Sequence, residues 1–209
     1  MKNALLLLCI LSSLSILGQQ ADKDIKKIAN IEDAELYIEK SSSKKNRLMA
    51  FNEEKHKSTL AQTLLAMPIG TTKIVPSQFN KTIYKIIEKS NDPHYRISYI
   101  YFDESKVDIN TIYEMRKTIL YKFENGVPFE DLANRYSMDD NALRGGDSGW
   151  FKDNEMPIEI ENEAANLQHS VGDIYTVAVE KDRGYYIILK THRIKTIKEV
   201  YVLKIEERL

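Results

Sequence analysis

Cysteine occurs once in the 209 residues, as Cys9, and glycine only eight times. Cys9 lies inside an apolar run from Ala4 to Leu17 that follows a single cation, Lys2, and gives way to small and polar residues. That order is the layout of a secretory signal, and the run is too short to cross a bilayer comfortably. Residues 1–20 are therefore expected to be a signal peptide, with a buried N-terminal helix as the competing reading. Bulky leucines precede Cys9, which sets it apart from a lipid-attachment cysteine. Beyond residue 20 there is no cysteine, so no disulfide framework is available. The remainder must hold together in an oxidising compartment by its core alone.

Charge of one sign is missing as well. Thirty lysines and arginines stand against 31 aspartates and glutamates, a formal net charge of -1. That balance removes the electrostatic argument for nucleic acid as a partner. No apolar run of about 20 residues follows the leader, so nothing else is expected to span a membrane. The histidines, His56, His94, His169 and His192, are scattered without ligand spacing and read as surface or edge residues; neither metal nor cofactor is expected. The composition fits an exported globular protein of the periplasm or cell envelope.

What is present divides into two regions. Residues 21–92 are lysine-rich and read as irregular, with SSSKKN (Ser41 to Asn46) as a solvated break. Within them, LAQTLLAM (Leu60 to Met67) predicts a short helix ended by Pro68 and Gly70. From Tyr95 the pattern is firmer. YRISYIYF (Tyr95 to Phe102) is aromatic and β-branched, as strands are. INTIYEMRKTILYKF (Ile109 to Phe123) places Ile112, Met115, Ile119 and Phe123 on one helical face, and Asn125 and Gly126 stop it. PFEDLANRY (Pro128 to Tyr136) and IEIENEAANL (Ile158 to Leu167) predict two more helices. DIYTVAV (Asp173 to Val179) and YYIILK (Tyr185 to Lys190) predict strands across a turn at KDRG, and EVYVLK (Glu199 to Lys204) a last strand. The expected class is α+β: a small antiparallel sheet surrounded by about four helices, with a mixed N-terminal region and a C-terminal strand at 196–209.

Three of the eight glycines, Gly145, Gly146 and Gly149, crowd into RGGDSGWFKDNEMP around the only tryptophan, Trp150. PFEDLANRYS, GGDSGWF, EMPIEI, VGDI and GYYIIL, in this order and spacing from Tyr95 to Arg193, resemble the parvulin peptidyl-prolyl isomerases. The resemblance implies a parvulin-like domain over 93–195 that catalyses cis–trans exchange at X–Pro bonds in extended or unfolded chains. It makes the glycine segment a tight passage into a strand, where glycine permits positive φ and close approach. Trp150 is expected to cover the helices, with direct substrate contact as the alternative. Met156 and Ile160 fall by resemblance at the apolar wall of the proline pocket, with ordinary core packing as their alternative. Ser148 and Phe151 are assigned by the same resemblance to substrate binding. Such a site needs no nucleophile, because an amide rotates over a barrier of about 18–20 kcal/mol without a bond breaking.

The sequence departs from the family at the centre of this site. A histidine expected within the first strand is Tyr99, in SYIY (Ser98 to Tyr101). A second, expected after Gly-Tyr in the penultimate block, is Tyr186. The third polar position is retained as Asp139, seven residues before Gly146. Two readings stay open. Tyrosine hydroxyls replace the histidine network and the domain remains a foldase, or turnover is lost and the domain serves as a chaperone or envelope-assembly subunit. In either, the N-terminal region is expected to dock envelope partners or clients.

At an offset of 102 positions the chain also matches itself, with LAMPIG (Leu65 to Gly70) against LQHSVG, TIYKII (Thr82 to Ile87) against GYYIIL and SYIY (Ser98 to Tyr101) against VYVL, which marks residues 58–90. The expectation is a degenerate half-repeat, in which IVPS (Ile74 to Ser77) and TIYKII pair and Tyr95 to Phe102 closes both units; two unrelated β-rich segments are the alternative.

Overall fold

The computed structural model describes residues 25–208. The expected signal peptide lies outside them. The described chain divides into two compact units, one of residues 25–91 and 197–208, the other Asp92–Thr196.

The first unit is not irregular. Helix α1 (Ile31–Lys40) starts at Asn30, whose side chain accepts from Asp33 N. The Asp33 carboxylate in turn accepts from Ala29 N at 2.9 Å, which ties the preceding residue to the first turn. Strand β1 (Arg47–Asn52), helix α2 (Thr59–Ala66), and strands β2 (Thr72–Pro76) and β3 (Asn80–His94) follow. The C-terminal strand β7 (Lys195–Arg208) completes a sheet of order β1-β7-β3-β2. Successive side chains of a strand face opposite ways, and both faces here are covered. Val200, Val202 and Ile86 pack with Ala61 and Leu64 of α2. Ile83, Ile87, Leu203 and Ile205 pack with Ala34 of α1.

β2 and β3 pair antiparallel. Gly70 N donates to Ile86 O at 2.8 Å and Ile86 N to Thr71 O at 2.9 Å; Gly172 N donates to Lys190 O at 2.8 Å and Lys190 N to Asp173 O at 3.0 Å. The same local arrangement thus opens both hairpins. The expectation that Tyr95 to Phe102 closes both units needs correction. β4 (Ile97–Asp103) belongs to the second sheet alone, and β7 takes the corresponding place in the first. The ungapped match also fails there. Tyr99 packs toward α5 (Ile158–Ala165). Tyr201 lies between Val200 and Val202, which face α2, and so points the other way. A slip of one residue is enough to invert a strand in this manner.

The second unit has the sheet β4-β6-β5, all antiparallel, with β5 at Ile174–Val179 and β6 at Gly184–Lys190. Helices α3 (Ile109–Glu124) and α4 (Phe129–Tyr136) cover one face, where Ile100, Phe102 and Ile187 meet Ile112, Ile119, Phe129 and Leu132. Helix α5 covers the other, with Ile160 and Ala164 against Ile97, Val177, Val179 and Ile188. The helical stripe read from the sequence is this packing, since Ile112 and Ile119 are wholly enclosed. One histidine departs from its reading: His94 is 1% exposed.

Candidate functional site

The α5 face of β4 presents Ile97, Tyr99 and Tyr101 in alternation, with Tyr95 just before the strand in the same cluster. Opposite Tyr101 in the ladder stands Tyr186 of β6. Their rings lie 5.0 Å apart, and Tyr186 meets Tyr99 edge-on at 5.7 Å. Gly184 makes room for this cluster: a Cβ there would sit 3.1 Å from ring atoms of both Tyr101 and Tyr186.

Asp139 follows α4 and caps a 3-10 helix, Asp140–Arg144. One carboxylate oxygen accepts from Asn141 N at 2.8 Å, and the other accepts the Tyr99 hydroxyl at 3.3 Å. The three residues expected at the polar centre are therefore together. Burial first, then the Asp139 charge, raises the Tyr99 phenol well above its ordinary value of 10.0. Burial, then the neighbouring Tyr101 and Tyr99, raises Tyr186. Both hydroxyls keep their protons at neutral pH and remain donors. The Tyr186 hydroxyl has no hydrogen-bond partner among the described residues.

The glycine passage holds this centre in place. Gly146 has φ +82°, and a Cβ on it would lie 2.6 Å from Tyr99 O and 3.0 Å from the Ala133 Cβ. Its carbonyl accepts from Tyr99 N at 2.9 Å and from the buried Asn141 Nδ2 at 2.9 Å. Arg96 grips Asp147 through two bonds of 2.9 and 2.6 Å. That grip holds the Asp147 carboxyl below the usual carboxylate range.

The residues assigned to substrate binding divide. Ser148 is tied to the backbone: its Oγ accepts from Ile97 N at 3.1 Å and donates to Gly149 O at 2.8 Å. Phe151, 4% exposed, and Ile160, 0% exposed, pack in the same cluster as Tyr99. Met156 alone of the apolar set is partly exposed, packed against that cluster. Glu161, only 5% exposed, reaches back from α5 to accept from Glu155 N at 3.0 Å and Met156 N at 2.9 Å. Trp150 does not cover the helices. It meets His192 edge-on at 5.3 Å, with Lys195 over its ring at 5.8 Å.

Tyr101, Asn141 and Glu161 went unread in the sequence. Tyr101 was within reach, being two positions from Tyr99 on one strand face. Asn141 and Glu161 act by bonding to backbone groups of the motif segments, a pairing that leaves no periodic or spacing signal.

Comparison with known proteins matches residues 98–192 to the Rotamase model, described as the PPIC-type PPIase domain. The foldase protein PrsA of Bacillus subtilis is 41% identical over 71 residues, 34% of this chain and 23% of PrsA. The chaperone SurA of Idiomarina loihiensis is 29% identical over 178 residues, 81% of this chain and 40% of SurA. The periplasmic chaperone PpiD of Haemophilus influenzae is 36% identical over 78 residues, 37% of this chain and 12% of PpiD. The chain spans less than half the length of each. Motif order, the sheet between helices and the family model agree: residues 98–192, just under half of the chain, match the PPIC-type PPIase (parvulin) domain.

Proposed function

We propose that this chain is an exported foldase whose parvulin domain speeds cis–trans exchange at X–Pro bonds of extended or unfolded polypeptides in the periplasm or cell envelope. One observation carries the reading. The Tyr99 ring, its hydroxyl bonded to Asp139, and the Tyr186 ring, its hydroxyl unbonded, meet edge-on at 5.7 Å on the face that also carries Met156.

Twisting an X–Pro amide breaks its resonance and leaves a lone pair on nitrogen while the carbonyl swings out of plane. A fixed donor near the nitrogen stabilises the twisted form more than the planar one, whereas a donor on the carbonyl oxygen would favour the planar form. Tyr186 supplies that donor. Tyr99, its proton directed to Asp139, offers oxygen lone pairs and holds the carboxylate away from the amide. Met156 supplies an apolar contact for the proline ring, and exclusion of water strengthens each dipole. The domain uses no covalent step. The names of the relatives, foldase and chaperone, support unfolded polypeptide as client, and the apolar leader supports export.

NMR exchange spectroscopy on short X–Pro peptides, with the full chain at catalytic concentration, tests this. Faster exchange that is lost when the surface around Met156 is blocked supports it; shifted peptide signals without faster exchange refute turnover. Enclosure of Phe151 and Ile160 favours a second reading, a parvulin fold kept for binding alone, and that second result is its signature.

A further inference from the structure

The opposite face of the same sheet carries an opening of its own. β5 is an edge strand, with β6 on one side and no strand on the other among the described residues. Alternate residues of such an edge point backbone N–H and C=O groups outward. Tyr175, Val177 and Val179 turn to the α5 face. Thr176 and Ala178 turn to the α3 face, and both are exposed, because α3 stops short of covering β5. A groove results between Thr176 and a stripe of α3 formed by Tyr113, Arg116 and Leu120. Tyr113 leans edge-on against Tyr185 at 6.1 Å, forming its base.

The charges in this groove are not balanced. Lys117 and Glu114 satisfy each other at 2.6 Å. Arg116 is half-buried and lies 6.0 Å over the Tyr113 ring, yet pairs with no carboxylate among the described residues. A partly desolvated guanidinium of this kind is complementary to a carboxylate, which it binds through two donors.

We propose that the groove between β5 and α3 takes up an extended polypeptide segment bearing a carboxylate, which adds to β5 as a further strand and pairs its acidic side chain with Arg116. Main-chain bonds to the free edge supply affinity and the Arg116 contact supplies selectivity. The small side chains of Thr176 and Ala178 leave room for those of the incoming strand. β2 is the other strand edge with exposed apolar neighbours, Ile74, Val75 and Phe79. It carries Lys73 and ends at Pro76, features that discourage pairing.

The site lies across the sheet from Tyr99 and Tyr186, and its test uses peptides without proline, so it stands or falls apart from turnover. The full chain, labelled with nitrogen-15, is titrated with short alternating valine–threonine peptides carrying a central glutamate or, in the control, glutamine. Expected are shifts at Thr176, Ala178 and Tyr113, and about tenfold tighter binding of the glutamate peptide. Arg116→Gln abolishes that difference, and Arg116→Glu transfers the preference to a lysine peptide. Ala178→Glu, on an exposed edge position, repels the glutamate peptide with the fold intact. Equal affinity for the two peptides, no binding at millimolar concentration, or shifts confined to β2 or to the tyrosine face would overturn the proposal.

Discussion

At Tyr99 the phenol proton is committed to Asp139, whereas the Tyr186 hydroxyl has no bonded partner among the described residues. Only the second is free to donate to a twisting amide. Tyr186→Phe is expected to slow catalysed X–Pro exchange about tenfold, the loss of one net hydrogen bond, with the melting temperature little changed. Measuring both in one preparation separates catalysis from folding. The phenols also fix the pH response. A histidine site titrates near pH 6.5; this one is expected to show a flat rate profile from about pH 6 to about pH 9. Stability follows the same groups. Their folded values lie above the ordinary 10.0, so the unfolded chain releases these protons first. The contribution of Tyr99, Tyr175 and Tyr186 is complete below that pH and is lost as pH rises above it. A denaturant titration at two alkaline pH values reads the loss.

Among the elements, the link from the 3-10 helix to β4 is the least tolerant. Gly146→Ala combines a left-handed backbone with a contact of 2.6 Å to Tyr99 O, and is expected to cost at least about 2 kcal/mol. Glu161→Ala strands the two N–H groups before α5. That change is expected to cost about 2 kcal/mol, a fall of roughly 4–8 °C in melting temperature for a chain of this size. It should also weaken binding of proline peptides, because Met156 is no longer held.

These elements differ in how far the sequence announces them. α3 was legible because Ile112, Met115, Ile119 and Phe123 recur at the helical period; its cap, Asp108, went unread. β4 and β6 were legible from their aromatic and β-branched runs. The glycine motif located the centre because Gly146 has a steric reason to be glycine. α1 and β1 went unread: α1 is announced by its cap, Asn30 with Asp33, but its neighbourhood is dominated by lysine and glutamate. Of the two partners of β3, β2 was read as a pairing of IVPS with TIYKII, whereas β7 could not be, since it lies far along the chain and strand pairing depends on tertiary contacts. Trp150 misled for a related reason. A lone tryptophan suggests a core, but this one packs on His192 and Lys195 at the end of β6.

In the molecule as a whole, the two units are closed differently. The parvulin domain draws its strands and helices from one continuous stretch, Asp92–Thr196. The other sheet draws on both ends of the described chain. There Glu206 is held by Lys204 and Lys45, which bring its carboxyl down to about 2. A depressed carboxyl stabilises above its ordinary 4.5 and loses that contribution as pH falls toward 2. Glu206→Gln is expected to flatten the acid limb of stability in the first unit and to leave amides of the parvulin domain unchanged, as residue-resolved hydrogen exchange at graded pH can test.

The central place of β7 between β1 and β3 also has a consequence in time. As the chain is synthesised, β1 and β3 emerge well before β7, the strand that joins them, β3 by about a hundred residues and β1 by more, while every strand of the parvulin domain has its partner available earlier. Contacts so distant in sequence form late. The parvulin domain is thus expected to be folded while the first unit still waits for its central strand; on the function proposed above, the growing chain would carry a finished folding catalyst before its own folding is complete.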